Sequence, residues 1–480
     1  MPAPHERSAL TSKLNKAQGL LQNWCNAAAA HPALFARCKS ELAGALSHAG
    51  FGGMEKDLEI TPFILDANSV RALTRDVRSL CAIFEKINKL ALTNVAFLRR
   101  LELSPSVESL LRREPEARLT FEFARLDFVP LPSGLRFVGF EFDAPRGAGL
   151  AAELQRAFLG HELCALAGIA RLQPSALSTA LLADMFMAVW RERGAATIAK
   201  PNFAIFDWRE SDCTAEQKLV LDELRSRGLV ALRADPRELK YHRDAGELRL
   251  GSTRIDLACR AIPVSEISVR RPLLAALLEA VADNAVTVVN CLRARPAQGA
   301  AALEVLTSRE FNGFFTAAEN EIKARLLPWT RKLAEGRTDY LGRDVELSSI
   351  LANKQERFII KTAAESGGEV AVGALIERQE WLARIDAGLK RGDIAQEFVP
   401  PLNHSCAAAV GGEGRNLLLG AYAVRGEYAG CTAWSSAGAV VAPDASQVTP
   451  VLEVGGRSKT GPIEAGRPTR KRKPTHTQQN

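Results

Sequence analysis

The chain reads as an α/β protein with α+β parts. Three observations carry that reading: a long N-terminal stretch whose apolar residues recur at three and four positions, a Phe- and Val-rich hairpin pattern after it, and a mid-chain succession of apolar run, helix and second apolar run. That last succession is one βαβ unit, and such a unit builds parallel sheet. With 480 residues, 47% of them hydrophobic, there is enough chain for a large core and for two or three domains.

From about residue 8 to 115 the helical period shows in Leu14, Leu20, Leu21 and Trp24, and again in Val70, Leu73, Val77, Leu80, Ile83 and Ile87. The period then becomes that of strands. Segments 119–129 and 135–142 are rich in Phe, Val and Leu, and Leu131-Pro132-Ser133-Gly134 between them has turn composition, which predicts a β-hairpin. Helices are expected around 150–170 and 175–193. Phe203-Ala204-Ile205-Phe206, ending at Asp207, predicts a buried strand. Thr214 and Gln217 have the spacing of a capping box for a helix over 216–227, Gly228 lies where a C-terminal glycine belongs, and 229–232 predicts the next strand. A hairpin near 240–250 follows, then strands at 254–260 and 286–290 flanking a helix at 271–283, and more helix over 300–325. The last third predicts a strand at 356–361, a glycine-rich turn, a helix at 377–390, a strand at 394–399 and a hairpin at 417–435 turning near Arg425-Gly426-Glu427. No internal repeat is present.

Composition excludes several classes. The opening MPAPHERSALTSK has no apolar stretch of signal length, and no later run approaches the roughly 20 apolar residues that cross a bilayer, so neither secretion nor membrane insertion is expected. Nine cysteines are scattered singly from Cys25 to Cys431 without a C-x-x-C, which argues against a disulfide framework or a zinc site and fits a reducing cytoplasm. The net charge is +7, but much of the excess sits in a Lys/Arg/Pro/Gly tail at 457–480 that reads as disordered. The remainder is too near neutral to imply a nucleic-acid partner. The seven histidines stand alone, and neither a Gly-x-Ser-x-Gly elbow nor a Walker P-loop occurs.

Three constellations carry chemistry. Alternation along a strand sends residues i and i+2 to one face, so Arg125 goes with Asp127 and Glu141 with Asp143. If those faces coincide, three carboxylates converge with a guanidinium; carboxylates so placed repel unless cations neutralise them, and Mg²⁺ takes hard oxygen ligands while keeping places for phosphate oxygens. Alone, the pattern more often means a solvated polar face. Next, Phe358-Ile359-Ile360-Lys361 followed by Ser366-Gly367-Gly368 puts an ammonium at the end of an apolar strand, with glycines whose backbone N–H groups approach phosphates closely. A strand with a glycine turn is the plain alternative. Third, Ile394-Ala395-Gln396-Glu397-Phe398-Val399 is a strand with polar residues in mid-run, suited to an adenine pocket or to a wet edge.

In their order and spacing these pieces resemble the circularly permuted ATP-grasp proteins, a group that includes glutathionylspermidine synthase and bacterial relatives. There, an Arg-x-Asp strand and a Glu-x-Asn strand come early, and the nucleotide-binding lysine and glycine loop come late. RLDFVPLPSGLRFVGFEFDAPRGAG is similar to the first part, and further matches are ITPFILD at 60–66, DPRELKY at 235–241, RIDLACRAIPVSEI at 254–267, VVN at 288–290, LPWTR at 327–331, FIIKTAAESGG at 358–368, IAQEFV at 394–399 and YAVRGEYAG at 422–430.

The resemblance implies a circularly permuted ATP-grasp fold with an N-terminal helical region at 1–115, a metal-binding hairpin with its helices at 116–200, a central parallel-sheet domain at 201–300 and nucleotide-binding lobes at 301–456. It implies Mg²⁺ on Asp127, Glu141 and Asp143, with Asp143 where the family usually has Asn. Arg125 would steady the transferring phosphoryl group, Lys361, Gly367 and Gly368 would hold ATP phosphates, and Gln396, Glu397, Phe398 and Val399 would line the adenine. The implied activity joins a small-molecule or peptide carboxylate to an amine through an acyl phosphate. The chain departs from the pattern near Ala301, where a second lysine is usual, and after Gly430, where an arginine is usual and Cys431-Thr432-Ala433-Trp434 stands; the Asn expected soon after is replaced by Ala442-Pro443. A nucleotide-binding pseudoenzyme of the same fold and an ATP-dependent phosphotransferase are therefore the alternatives.

Overall fold

Packing begins with helices. In the computed structural model, which describes residues 4–131, 134–175, 177–194, 198–212, 214–362, 369–401, 403–404 and 414–455, α1 (Pro4–Ala30) and α2 (Pro32–His48) lead the chain. After the short strand β1 (Phe63–Leu65) comes α3 (Ala67–Thr93), started by the Asp66 side chain accepting from Ser69 N. Its apolar stripe of Leu73, Val77, Leu80, Phe84 and Ile87 is fully buried in the main core. The N-terminal region is thus not wholly helical. β1 lies parallel to a strand from the far end of the chain, a pairing that no local period announces.

β2 (Phe123–Leu131) and β3 (Gly134–Glu141) form the expected antiparallel hairpin, with Arg125 opposite Glu141; Pro132 and Ser133 of its turn lie outside the described residues. Helices α4 (Ala148–Leu159) and α5 (Thr179–Arg193) follow. The mid-chain unit consists of β4 (Phe203–Phe206), α6 (Thr214–Ser226), β5 (Ala231–Ala234), β6 (Leu257–Arg260), α7 (Val264–Val269) and β7 (Thr287–Val289). It forms a four-stranded parallel sheet in the order β7-β6-β4-β5. Gly228 closes α6 at φ +78°, where a glycine costs nothing sterically. Two details depart from expectation. Thr214 is already helical, and Gln217 gives its Nε2 to Asp207 Oδ2 (2.5 Å), so no capping box is made. The apolar stretch 254–260 is also two strands: Thr253–Ile255 joins a small antiparallel sheet before β6 enters the parallel one.

In the last third β8 (Thr330–Lys332), β9 (Phe358–Lys361), β10 (Val370–Val372) and β11 (Ile394–Glu397) form an antiparallel sheet ordered β8-β11-β9-β10, with α8 (Arg378–Arg391) packed on it. Alternation sends Phe358, Ile360 and Ala395 toward Trp381 and Ile385 of α8. Lys361 and Gln396 take the opposite face. The closing hairpin β12 (Arg415–Val424) and β13 (Glu427–Ser436) joins the early one, because β12 pairs with β2 from Leu419↔Phe128 to Val424↔Phe123. β14 (Gln447–Thr449) extends this sheet, and β15 (Val451–Glu453) is the partner of β1. Gly367, Gly368 and the tail at 457–480 lie outside the described residues.

Among the described residues no helix is long and apolar enough to cross a membrane. Cys25 is disulfide-bonded, which the scattered cysteine pattern did not anticipate, whereas Cys38, Cys81, Cys164, Cys259, Cys291 and Cys431 are free thiols.

Candidate active site

The early hairpin brings Arg125, Asp127 and Glu141 to one face of the large sheet. Arg125 grips Asp127 in a forked contact, Nε to Oδ1 at 2.8 Å and Nη2 to Oδ2 at 3.2 Å. Burial opposes the charge of Arg125, but Asp127 beside it more than offsets that, and the guanidinium is held well above its ordinary range. Its other face lies 5.0 Å from the Trp434 ring. Gly420 makes this stack possible, since a Cβ there would lie 2.6 Å from Trp434 Cζ3 and 3.0 Å from Arg125 Cδ. Gly139, opposite Asp127, likewise leaves its carboxylate room: a Cβ would lie 3.4 Å from Oδ2.

Glu141 ends β3, with Oε1 accepting from Asp143 N and Ala144 N, both at 3.1 Å. Burial pushes its carboxyl above the usual range, the Ala144 N–H draws it back and the neighbouring Asp143 adds to the rise. Gln298 reaches it from the segment after β7, donating to Glu141 Oε2 at 3.4 Å and accepting from Phe142 N at 2.8 Å.

Asp143 is not brought to this group. Its carboxylate is buried in an ion pair with Arg260 at the end of β6, 2.5 Å apart, and Oδ2 accepts from Val264 N at the start of α7 (2.7 Å). The residue two beyond Glu141 would share its face only if the strand continued, and β3 ends at Glu141. Among the described residues no three His, Cys, Asp or Glu side chains gather as a metal ligand set. Asn290 ties the same region together: its Oδ1 accepts from Glu122 N and Phe123 N, and its Nδ2 donates to Phe123 O and Phe142 O. One buried side chain thus holds the start of β2 against the end of β3.

On the second sheet Lys361 Nζ donates to Gln396 Oε1 at 2.8 Å, and Gln396 Nε2 donates to Thr330 Oγ1 at 3.0 Å. Lys361 is half-buried, and burial draws its ammonium down to about 8. Glu397 is paired with Arg357 (3.3 Å) and with Arg136 of β3 (3.5 Å), so it links the two sheets. The N–H groups of Glu397 and Phe398 are already bonded to Trp329 O and Arg357 O. Val399 packs with the apolar cluster around Trp24 and Phe158.

Sequence reasoning missed the cavity beside Arg125. It measures about 550 Å³ and is lined by Lys56, Arg125, Arg146 and Arg415, with Asp57 as the opposing charge and Trp434 in its wall. Arg415 is held by Ser435, through Oγ (3.2 Å) and the carbonyl (3.1 Å), and lies 3.7 Å from Glu59. Gly147, at φ +92°, lets the chain turn from Arg146 into α4, and Tyr422 Oη donates to Arg146 O at 3.1 Å. These cations come from four distant segments, so no spacing in the sequence marks them.

The donors suit Mg²⁺ in kind: Asp127 and Glu141 are hard oxygen ligands on one face, and Mg²⁺ commonly takes one or two carboxylates and completes its shell with water and phosphate oxygens. Lys361 suits a nucleotide phosphate.

No protein-family model matches the chain, and no curated protein does. Among solved structures, a glutathione synthetase-like effector from Globodera pallida, in its apo form, matches with a TM-score of 0.58 at 11% identity, over 88% of this chain and 98% of that one. A protein from Methylobacillus flagellatus KT, proposed to be a gamma-glutamylcysteine synthetase, matches with a TM-score of 0.40 at 14% identity, over 82% of this chain and 92% of that one, a likeness too slight to argue from. The first match defines the fold alone. The chain has a mixed α/β fold of the glutathione synthetase-like kind.

Proposed function

We propose that this protein is an ATP-dependent carboxylate-amine ligase of the circularly permuted ATP-grasp type. The observation that carries the reading is the shared sheet. The Arg125–Asp127–Glu141 hairpin from the first third of the chain is bonded through β2 and β12 to strands from the last third, and the Lys361–Gln396 sheet is linked to it by Glu397 and Arg136. Likeness of fold to a glutathione synthetase-like protein supports the same reading.

Mg²⁺-bound ATP, when present, supplies the phosphoryl group and the charge neutralisation that make a carboxylate reactive. In this reading the substrate carboxylate enters the basic cavity, where Arg146 and Arg415 neutralise it. Its oxygen attacks the terminal phosphorus, ADP leaves, and an acyl phosphate results. The amine nitrogen then forms a C–N bond as the C–O bond to phosphate breaks; phosphate departs and the amine proton passes to solvent. Arg125, pinned by Asp127, is preorganised beside the reacting centre. Lys361 would hold a nucleotide phosphate, Asp127 and Glu141 would hold the metal, and Asp143 braces the loop behind them.

The test is Mg²⁺-dependent ADP formation by the purified protein with pooled amino acids, short peptides and polyamines, with Lys361→Ala and Glu141→Ala alongside. ADP that needs both an acid and an amine, and vanishes in both variants, is expected. ADP that needs only one substrate points to a phosphotransferase. ATP binding without turnover in any mixture favours a pseudoenzyme, the reading that the missing arginine after Gly430 supports. Failure to bind ATP overturns the proposal.

A further inference from the structure

Arg125 is fixed from two directions. In the plane of its guanidinium, Nε and Nη2 are bonded to the two oxygens of Asp127 (2.8 and 3.2 Å), which leaves Nη1 as the nitrogen without a partner among the described residues. A fork of that kind sets where the group points but still lets it rock about the line joining it to the carboxylate. A ring against the flat face stops that motion. Trp434 supplies one, with its centroid 5.0 Å from Arg125 Cζ.

Neighbouring strands build this stack. Register sets Tyr422 opposite Arg125 and Gly420 opposite Asp127, and Leu418 opposite Trp434. The space that a side chain at 420 would fill is shared by the indole and the stem of Arg125: a Cβ there would lie 2.6 Å from Trp434 Cζ3, 2.8 Å from Cη2 and 3.0 Å from Arg125 Cδ. Trp434 belongs to the wall of the basic cavity but is only 5% exposed, so it offers a ligand little surface of its own and acts through the guanidinium. It also packs in the apolar cluster that holds Leu418 and Val448. Any large apolar side chain serves that packing; only an aromatic face serves the cation.

We propose that Trp434 is a positioning residue: by holding the plane of the Arg125 guanidinium it presents Nη1 to the basic cavity, where Nη1 meets one oxygen of an anionic ligand. That this contact acts in catalysis rests on the ligase reading above; the hold on the guanidinium and the anion contact do not. The test compares Trp434→Phe, which keeps an aromatic face, with Trp434→Leu and Trp434→Met, which stay apolar without one. On the full-length protein, succinate binding by calorimetry, ATP binding and urea denaturation are measured for each, with kcat and KM wherever ADP forms. Trp434→Phe is expected to keep succinate affinity within about threefold of the wild type, whereas Trp434→Leu and Trp434→Met each weaken it about tenfold and lower kcat rather than raise the KM for ATP. ATP affinity stays unchanged throughout. Equal losses in the aromatic and aliphatic variants, a loss that only follows the drop in stability, no loss in any variant, or no succinate binding by the wild type overturns the proposal. The expected ordering in a protein that does not bind ATP would sink the ligase reading and leave the positioning role standing.

Discussion

Lys361 offers the sharpest test of the nucleotide lobe. Its ammonium sits half-buried with Gln396 Oε1 as its hydrogen-bond acceptor, and burial draws its pKa from 10.5 to about 8. That difference corresponds to about 3 kcal/mol of lost stabilisation of the charged form. At pH 8 about half of the free protein therefore carries a neutral Lys361. A nucleotide phosphate against Nζ would restore the charge, so binding at that pH should take up about half a proton per ATP. Titration calorimetry in two buffers of different ionisation heat reads this number directly. Affinity should weaken as pH rises above 8, because binding must then pay for protonation. For stability the sign is as follows: between about 8 and 10.5 the unfolded chain keeps the proton that the folded one has released, so stability rises with pH across that window. Lys361→Met should abolish the proton uptake, lower ATP affinity by about 1.5–3 kcal/mol, and remove the rise in stability. Unchanged affinity and unchanged uptake in Lys361→Met would refute a phosphate contact.

Two other variants probe what the fold adds. Asp143→Asn strands the buried charge of Arg260 and should cost about 3–5 kcal/mol in chemical denaturation, most of it recovered by adding Arg260→Met; unchanged stability with altered Mg²⁺ activation would instead make Asp143 a metal ligand. Arg146→Ala with Arg415→Ala should weaken binding of a small dicarboxylate such as succinate in a salt-sensitive way while leaving ATP affinity within about twofold. Salt-independent binding or no loss in the pair would show that the basic cavity does not receive the acid.

Much of this protein was legible in its residues because much of it is local. The period of Leu73, Val77, Leu80 and Ile87 makes α3 amphipathic wherever it packs, the i and i+2 spacing puts Arg125 and Asp127 on one face, and Gly228 ends α6 by its own backbone freedom. The alternation that turned Lys361 away from Phe358 and Ile360 is equally local. Tertiary structure decided the rest. The pairings of β1 with β15 and of β2 with β12 join the two ends of the chain, and their specificity lies in packing between segments that carry no mark of each other. Asp143 sits two residues after Glu141, but the strand had already ended, so its direction was set by Arg260 on another sheet. The basic cavity draws Lys56, Arg125, Arg146 and Arg415 from four separate stretches. Local spacing determines which face a side chain takes; only the folded chain determines what that face meets.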